Sequence, residues 1–228
     1  MIAGDIGSRV RPAPDRYAIP GSGSADEDEC RGLDLPDRLL ALAALLLLAA
    51  GAWFLGDAAW MKGKAVLAQA LIQRAWAANV DGGTPRERPW SWADTTPVGR
   101  LEFVRQRRSM IVLAGDAGRV LAFGPGHRSG SALPGKAGNS VISAHRDTHF
   151  AILEDARIGD LVRVENVEGH TATYRIDALD VVDEHDLSVT EQRGIDQLTL
   201  VTCWPFNALA PGGPWRYIVT ASRQQYAH

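Results

Sequence analysis

The sequence predicts a mainly β domain, a mostly antiparallel β-barrel with a few short helices, carried behind one amino-terminal membrane-spanning helix. Three observations lead there. An uncharged apolar run extends from Leu39 to Gly56, short β-branched runs alternate with turn residues from Arg100 onward, and glycine and proline crowd Gly124 to Gly138 within that pattern.

The elements follow in chain order. Residues 1–38 are rich in Gly, Pro, Ser and Asp and include the acidic run Asp26-Glu27-Asp28-Glu29. With no apolar periodicity they cannot bury enough surface to offset the entropy of ordering, so they read as a disordered tail. Residues 39–61 read as a transmembrane anchor, because about 20 apolar residues cross a bilayer core as a helix. A cleavable signal peptide is the competing reading, since Ala50-Gly51-Ala52 fits a small-residue cleavage site. A long, acidic approach argues for an uncleaved anchor instead. Arg31 and Arg38 before the segment nearly balance Lys62 and Lys64 after it, so charge leaves its orientation open.

Residues 62–95 hold an amphipathic helix and a linker. Leu67, Ala68, Leu71, Ile72, Ala75 and Trp76 repeat at helical spacing, and Asp81-Gly82-Gly83-Thr84-Pro85 ends the pattern. That helix lies either on the bilayer surface or against the domain that follows. In residues 96–228 strands are expected near Leu101 to Val104, Met110 to Ala114, Arg119 to Phe123, Ser140 to Ala144, Leu161 to Val164, Thr171 to Ile176, Leu179 to Val182, Leu198 to Cys203 and Tyr217 to Ala221. One helix is expected at Phe150 to Ala156.

Composition narrows the function. The formal net charge is −3, and Arg105, Arg107 and Arg108 form the one basic cluster, too little to displace counterions from a nucleic acid. Cys30 and Cys203 fall on opposite sides of the anchor, so they cannot pair and are free thiols.

Cys203 ends the β-rich run Leu198-Thr199-Leu200-Val201-Thr202 and precedes Trp204-Pro205, which puts it where a strand stops. A cysteine held there is either a buried structural thiol or a nucleophile. His145 closes the similar run Val141-Ile142-Ser143-Ala144, with His149 as a competitor that spacing does not eliminate. Arg216 opens the run Arg216-Tyr217-Ile218-Val219-Thr220, where it needs either a salt-bridge partner or a chemical role. A thiol, an imidazole and a guanidinium together supply nucleophile, proton carrier and oxyanion donor. Metal chemistry is not expected, because no Glu follows His145 in a zinc-protease pattern and Cys203 has no second thiol near it. No cofactor is implied.

Together these residues resemble the sortases, the membrane-anchored cysteine transpeptidases. The signature Thr-Leu-x-Thr-Cys stands here as Thr199-Leu200-Val201-Thr202-Cys203, the histidine region as Ile142-Ser143-Ala144-His145-Arg146-Asp147-Thr148, and the arginine strand as Arg216-Tyr217-Ile218-Val219. The resemblance covers about Pro89 to Ala221. The segments Pro89-Trp90-Ser91-Trp92-Ala93-Asp94-Thr95 and Trp204-Pro205-Phe206 are most similar to the proteobacterial branch, called class GN. Ala144 stands where many relatives have glycine.

The resemblance implies an eight-stranded β-barrel held outside the cytoplasm by a single-pass anchor in the bacterial inner membrane. It further implies catalysis by His145, Cys203 and Arg216 on a protein substrate with a carboxy-terminal Leu-Pro-x-Thr-Gly-like sorting motif. Cleavage after Thr would leave a thioester on Cys203, which an amine acceptor at the cell envelope resolves. Thr202 would hold substrate or position Arg216, and His127 would line the substrate groove. Hydrolysis by a membrane-tethered cysteine peptidase and a catalytically silent binding module are the alternatives.

Overall fold

The computed structural model describes residues 34–82, 87–186, 188–191, 194–208, 210 and 212–224. The acidic tail and Cys30 lie outside these residues. Two compact units divide the chain, residues 1–54 and 55–228. One helix, α1 (Leu35–Gly82), runs through both. Its Ala- and Leu-rich sequence has high helix propensity, Pro36 and Asp37 suit its first turn, and Asp81-Gly82 closes it. Among the described residues this helix is long and apolar enough to cross a membrane, and its most apolar stretch is fully exposed.

The barrel is built from β1 (Pro97–Phe103), β2 (Arg108–Ala114), β3 (Gly126–His127), β4 (Asn139–Ser143), β5 (Leu161–Asn166), β6 (Thr171–Asp183), β7 (Gln197–Trp204) and β8 (Trp215–Arg223). They close in the order β1-β2-β3-β4-β7-β8-β6-β5. Most pairs are antiparallel, as expected, but β2–β3 and β4–β7 are parallel. Closure leaves no open sheet edge, and the interior is filled by alternate side chains such as Leu101, Phe103, Val112, Ile142, Val162, Leu200 and Val219.

Three local elements differ from expectation. Residues 119–123, expected as a strand, begin within a single helical turn, α2 (Gly118–Leu121). Val120 and Leu121 N–H both donate to Ala117 O, which folds Val120 into a small apolar cluster with Ile111 and Leu113. The four-residue apolar run from Val120 to Phe123 has no periodicity with which to reject a strand. The two strands expected within 171–182 are one strand, β6, interrupted by a bulge between Ile176 and Ala178 where it pairs with β8. The helix expected at 150–156 is a 3-10 turn, Ala151–Asp155.

The strand β3 was not foreseen. Gly126 is required there, because a Cβ at that position would overlap Gly115 O. Only a residue without a side chain lets β3 lie parallel to β2 at this approach.

Within the second unit, the later turns of α1 pack on the barrel. Ile72, Ala75, Trp76 and Asn79 form its buried stripe, and Ile72 and Trp76 join the cluster of Ile111, Leu113 and Val120. Burial of side chains this large contributes on the order of 2–3 kcal/mol each. Asn79 fixes the exit of the helix: it accepts from Glu87 N–H at 2.8 Å and donates to Glu87 O and Pro97 O. Of the two expected settings for this helix, the domain surface is the one it occupies over Ile72 to Asn79.

Candidate active site

Strand pairing brings His145, Cys203 and Arg216 side by side. In the antiparallel pair β7–β8, Cys203 lies opposite Arg216. In the parallel pair β4–β7, Ser143 lies opposite Val201, and Ala144 N–H extends the ladder by donating to Val201 O at 3.1 Å. His145, the next residue, comes level with Cys203. Ile142, Ala144, Leu198, Leu200, Val219 and Ala221 turn into the core. The intervening residues therefore turn outward, His145, Cys203 and Arg216 among them. Adjacent strands lie about 5 Å apart, so Cys203 on the middle strand has Arg216 beside it on β8 and His145 two residues beyond the end of β4 on its other side.

The three differ in exposure: His145 is exposed, whereas Cys203 and Arg216 are half-buried. Cys203 is a free thiol. Such a group, poised beside a cation and a proton carrier, has what nucleophilic acyl transfer needs.

Arg216 is held by three partners. Its Nη1 donates to Gly213 O at 2.7 Å and to Trp215 O at 3.0 Å, and its Nη2 pairs with Glu184 at 2.5 Å. Glu184 arrives because the end of β6 runs beside the start of β8, with Val182 opposite Arg216, and because Glu184 N–H donates to Pro214 O. A guanidinium carries five N–H donors. Among the described residues, Nε–H and one Nη2–H remain free to meet an oxyanion.

A cleft of about 190 Å³ opens on the same outward face. Ser143, Val201 and Ile218 of the three adjacent strands line it together with Arg128, Glu184 and Arg216. Val201 is two residues from Cys203 on the same side of β7, so the cleft leads along the strand toward the thiol. Arg128 was not singled out from the sequence, where it stands in a glycine-rich loop with no pattern around it.

Two expected substrate-binding residues face elsewhere. Thr202 is buried, opposite Tyr217 rather than Arg216, and its Oγ1 donates to Ala144 O at 2.8 Å. It alternates with Cys203, so it points away from the cleft and pins β7 to the residue preceding His145. His127 is also buried, with Nε2 at 2.9 Å from both Ala132 O and Ser131 Oγ. A carbonyl accepts only from a protonated nitrogen, so the ring is committed to bracing its own loop. It does not line the cleft.

His149 is separated from the thiol by its position. It faces a recess formed with Gln69 and Gln73 of α1 and Arg108, Ser109 and Met110 of β2. Burial holds its pKa below the ordinary histidine value, and the nearby His145 adds to the effect. A histidine whose folded pKa is lowered binds its proton more readily when unfolded. Stability is therefore full above about pH 6.5, the unfolded value, and declines as pH falls toward the lowered folded value. Replacing His149 with Gln is expected to flatten that decline, as measured by thermal midpoints across this acidic window.

Arg146, next to His145, makes a long-range tie that the sequence did not suggest. It is buried, and its Nη2 donates to Ala208 O at 3.2 Å and Ala210 O at 2.6 Å. It thereby joins the segment after β4 to the segment after β7.

The Sortase domain model matches residues 102–224, more than half of the chain and all three of the aligned residues. The chain belongs to the sortase family. Sortase D of Bacillus subtilis (strain 168) is 33% identical over 126 residues, spanning 55% of this chain and 63% of the relative. Among solved sortases, a Clostridium perfringens sortase D5 transpeptidase shares 25% identity at a TM-score of 0.50, covering 57% of this chain and 79% of that one. Sortase A from Corynebacterium diphtheriae shares 27% identity at a TM-score of 0.53, covering 60% of this chain and 64% of that one. The closed eight-stranded barrel is thus a sortase fold.

Proposed function

We propose that this sortase is a membrane-anchored cysteine transpeptidase, with α1 as a single-pass anchor in the bacterial inner membrane and the barrel outside the cytoplasm. The observation that carries the reading is Cys203 on the central strand, flanked by His145 and Arg216 beside an outward cleft. Family membership and a relative described as a transpeptidase support it. The likeness to the proteobacterial class GN branch is part of the same reading.

The cleft takes an extended peptide with a Leu-Pro-x-Thr-Gly-like sorting motif, and the Thr carbonyl reaches Cys203. The thiolate attacks that carbonyl, and Nε–H and Nη2–H of Arg216 meet the oxyanion. As the peptide C–N bond breaks, the imidazolium of His145 gives its proton to the departing glycine amine. The acyl group remains as a thioester. An incoming amine then loses a proton to His145, forms the new amide bond and releases the sulfur.

Incubating the full chain with a sorting-motif peptide, with and without triglycine, tests this. Transpeptidation predicts a peptide–triglycine product that increases with triglycine at the expense of the hydrolysed product. Hydrolysis indifferent to triglycine would make the protein a cysteine peptidase.

The pair of Glu184 and Arg216 gives a finer expectation. Both side chains are about one-third exposed, 36% and 26%, so the pair adds little to stability. Its effect is to aim the guanidinium. Glu184→Ala is expected to lower kcat/KM about tenfold by freeing the fork from its alignment. An equal or faster rate in that variant would show that the pair restrains Arg216 instead of aiming it.

A further inference from the structure

Two recesses flank the end of β7, and only one has a role so far. The cleft lies on the outward side with Val201 and Arg216. The pleat turns Trp204, the residue after Cys203, to the opposite side. There a second recess of about 280 Å³ is lined by Trp204, Pro205, Phe206, Asn207, Tyr217 and Glu154.

Its walls form a connected aromatic cluster. Trp204 stacks on Tyr217 with centroids 5.6 Å apart and planes 22° from parallel. Phe206 meets Tyr217 edge-on at 5.2 Å and Trp204 edge-on at 5.7 Å. Glu154 enters from the 3-10 turn, five residues after His149. It is exposed, and its carboxylate has no hydrogen bond or ion pair among the described residues. π faces with one unpaired carboxylate favour a cation, and an ammonium group fits both features.

We propose that this recess is the acceptor site and receives the primary ammonium group of the incoming amine. The assignment rests on the acyl-transfer reading above and deepens it. The sorted peptide occupies the outward cleft while it is attached to Cys203, so an acceptor approaching from the other side of the strand end does not compete with it. The amine binds as ammonium against Glu154 and the rings. One proton passes to the imidazole of His145, left neutral by the first half-reaction, and the freed nitrogen attacks the thioester carbonyl. The N–C bond forms, the C–S bond breaks, and the second proton leaves with the sulfur as Cys203 thiol.

The test compares two amines on the full chain in detergent: triglycine, an ammonium at neutral pH, and hydroxylamine, which is mostly uncharged there. For each, the ratio of aminolysis to hydrolysis of the sorting-motif peptide is measured in wild type, Glu154→Gln and Glu154→Asp. The proposal predicts that Glu154→Gln lowers the triglycine ratio about tenfold while the hydroxylamine ratio changes less than about twofold, and that Glu154→Asp recovers most of the loss. An unchanged triglycine ratio, or an equal fall for both amines, would overturn it. If wild type forms no acyl-enzyme, the transpeptidase reading itself fails. The recess is then judged by equilibrium binding of triglycine to the Cys203→Ala chain, followed by calorimetry: weaker binding after adding Glu154→Gln upholds the ammonium site, and equal binding refutes it.

Discussion

Cys203→Ala is expected to abolish cleavage of the sorting-motif peptide, with a loss of at least about 10³-fold in kcat. The expectation follows from the position of the residue. Its neighbours Thr202 and Leu200 are buried in the barrel, whereas Cys203 turns outward between His145 and Arg216. Removing its sulfur leaves the core untouched and deletes the nucleophile. The thermal midpoint should therefore stay within a few degrees of wild type, which separates a chemical defect from misfolding. Peptide cleavage by Cys203→Ala at the wild-type rate would show that another group does the chemistry.

The second large effect is expected at His145. His145→Ala should reduce kcat by about 10²–10⁴-fold, the range for loss of a general acid or base. His149→Ala should leave kcat within about threefold, because its ring lies in the recess with Gln69 and Gln73 instead of beside the thiol. Assaying the two variants together makes each the control for the other. A large loss at His149 with activity retained at His145 would exchange their roles.

Much of this site was legible in the sequence, and the reason is the period of a strand. Val141 and Ser143 share one phase of β4, which His145 continues just past its end, and Val201 and Cys203 share one phase of β7, so alternation sets each of His145 and Cys203 out of phase with its strand's core residues. The same alternation argues against Thr202 as a substrate contact, since Leu198, Leu200 and Thr202 are in phase with the core. That signal was present and outweighed by adjacency to the cysteine. His127 is different: its burial depends on Ser131 and Ala132 folding back over it, a loop conformation that no periodicity encodes.

The long-range partners were the hidden part. Glu184 was visible only as one acid in Asp183-Glu184-His185-Asp186, and it reaches Arg216 because β6 and β8 are neighbours in the closed barrel. The parallel pairing of β4 with β7, which brings His145 to Cys203, is likewise a property of topology. Two-residue β3 has too few residues for any pattern, and the bulge in β6 replaces one strand's rhythm with two apparent ones. By contrast, the apolar length of α1 and the helical stripe through Ile72 and Trp76 were plain from spacing, because each depends on residues near one another in the chain.

The most direct measurement is the intact mass of the full chain mixed with a sorting-motif peptide and quenched in acid before turnover is complete. Thioester chemistry predicts one adduct with the mass of the peptide through its Thr, mapped by proteolysis to Cys203 and released by neutral hydroxylamine. Cleaved peptide with no adduct on Cys203, or an adduct on any other residue, would contradict it.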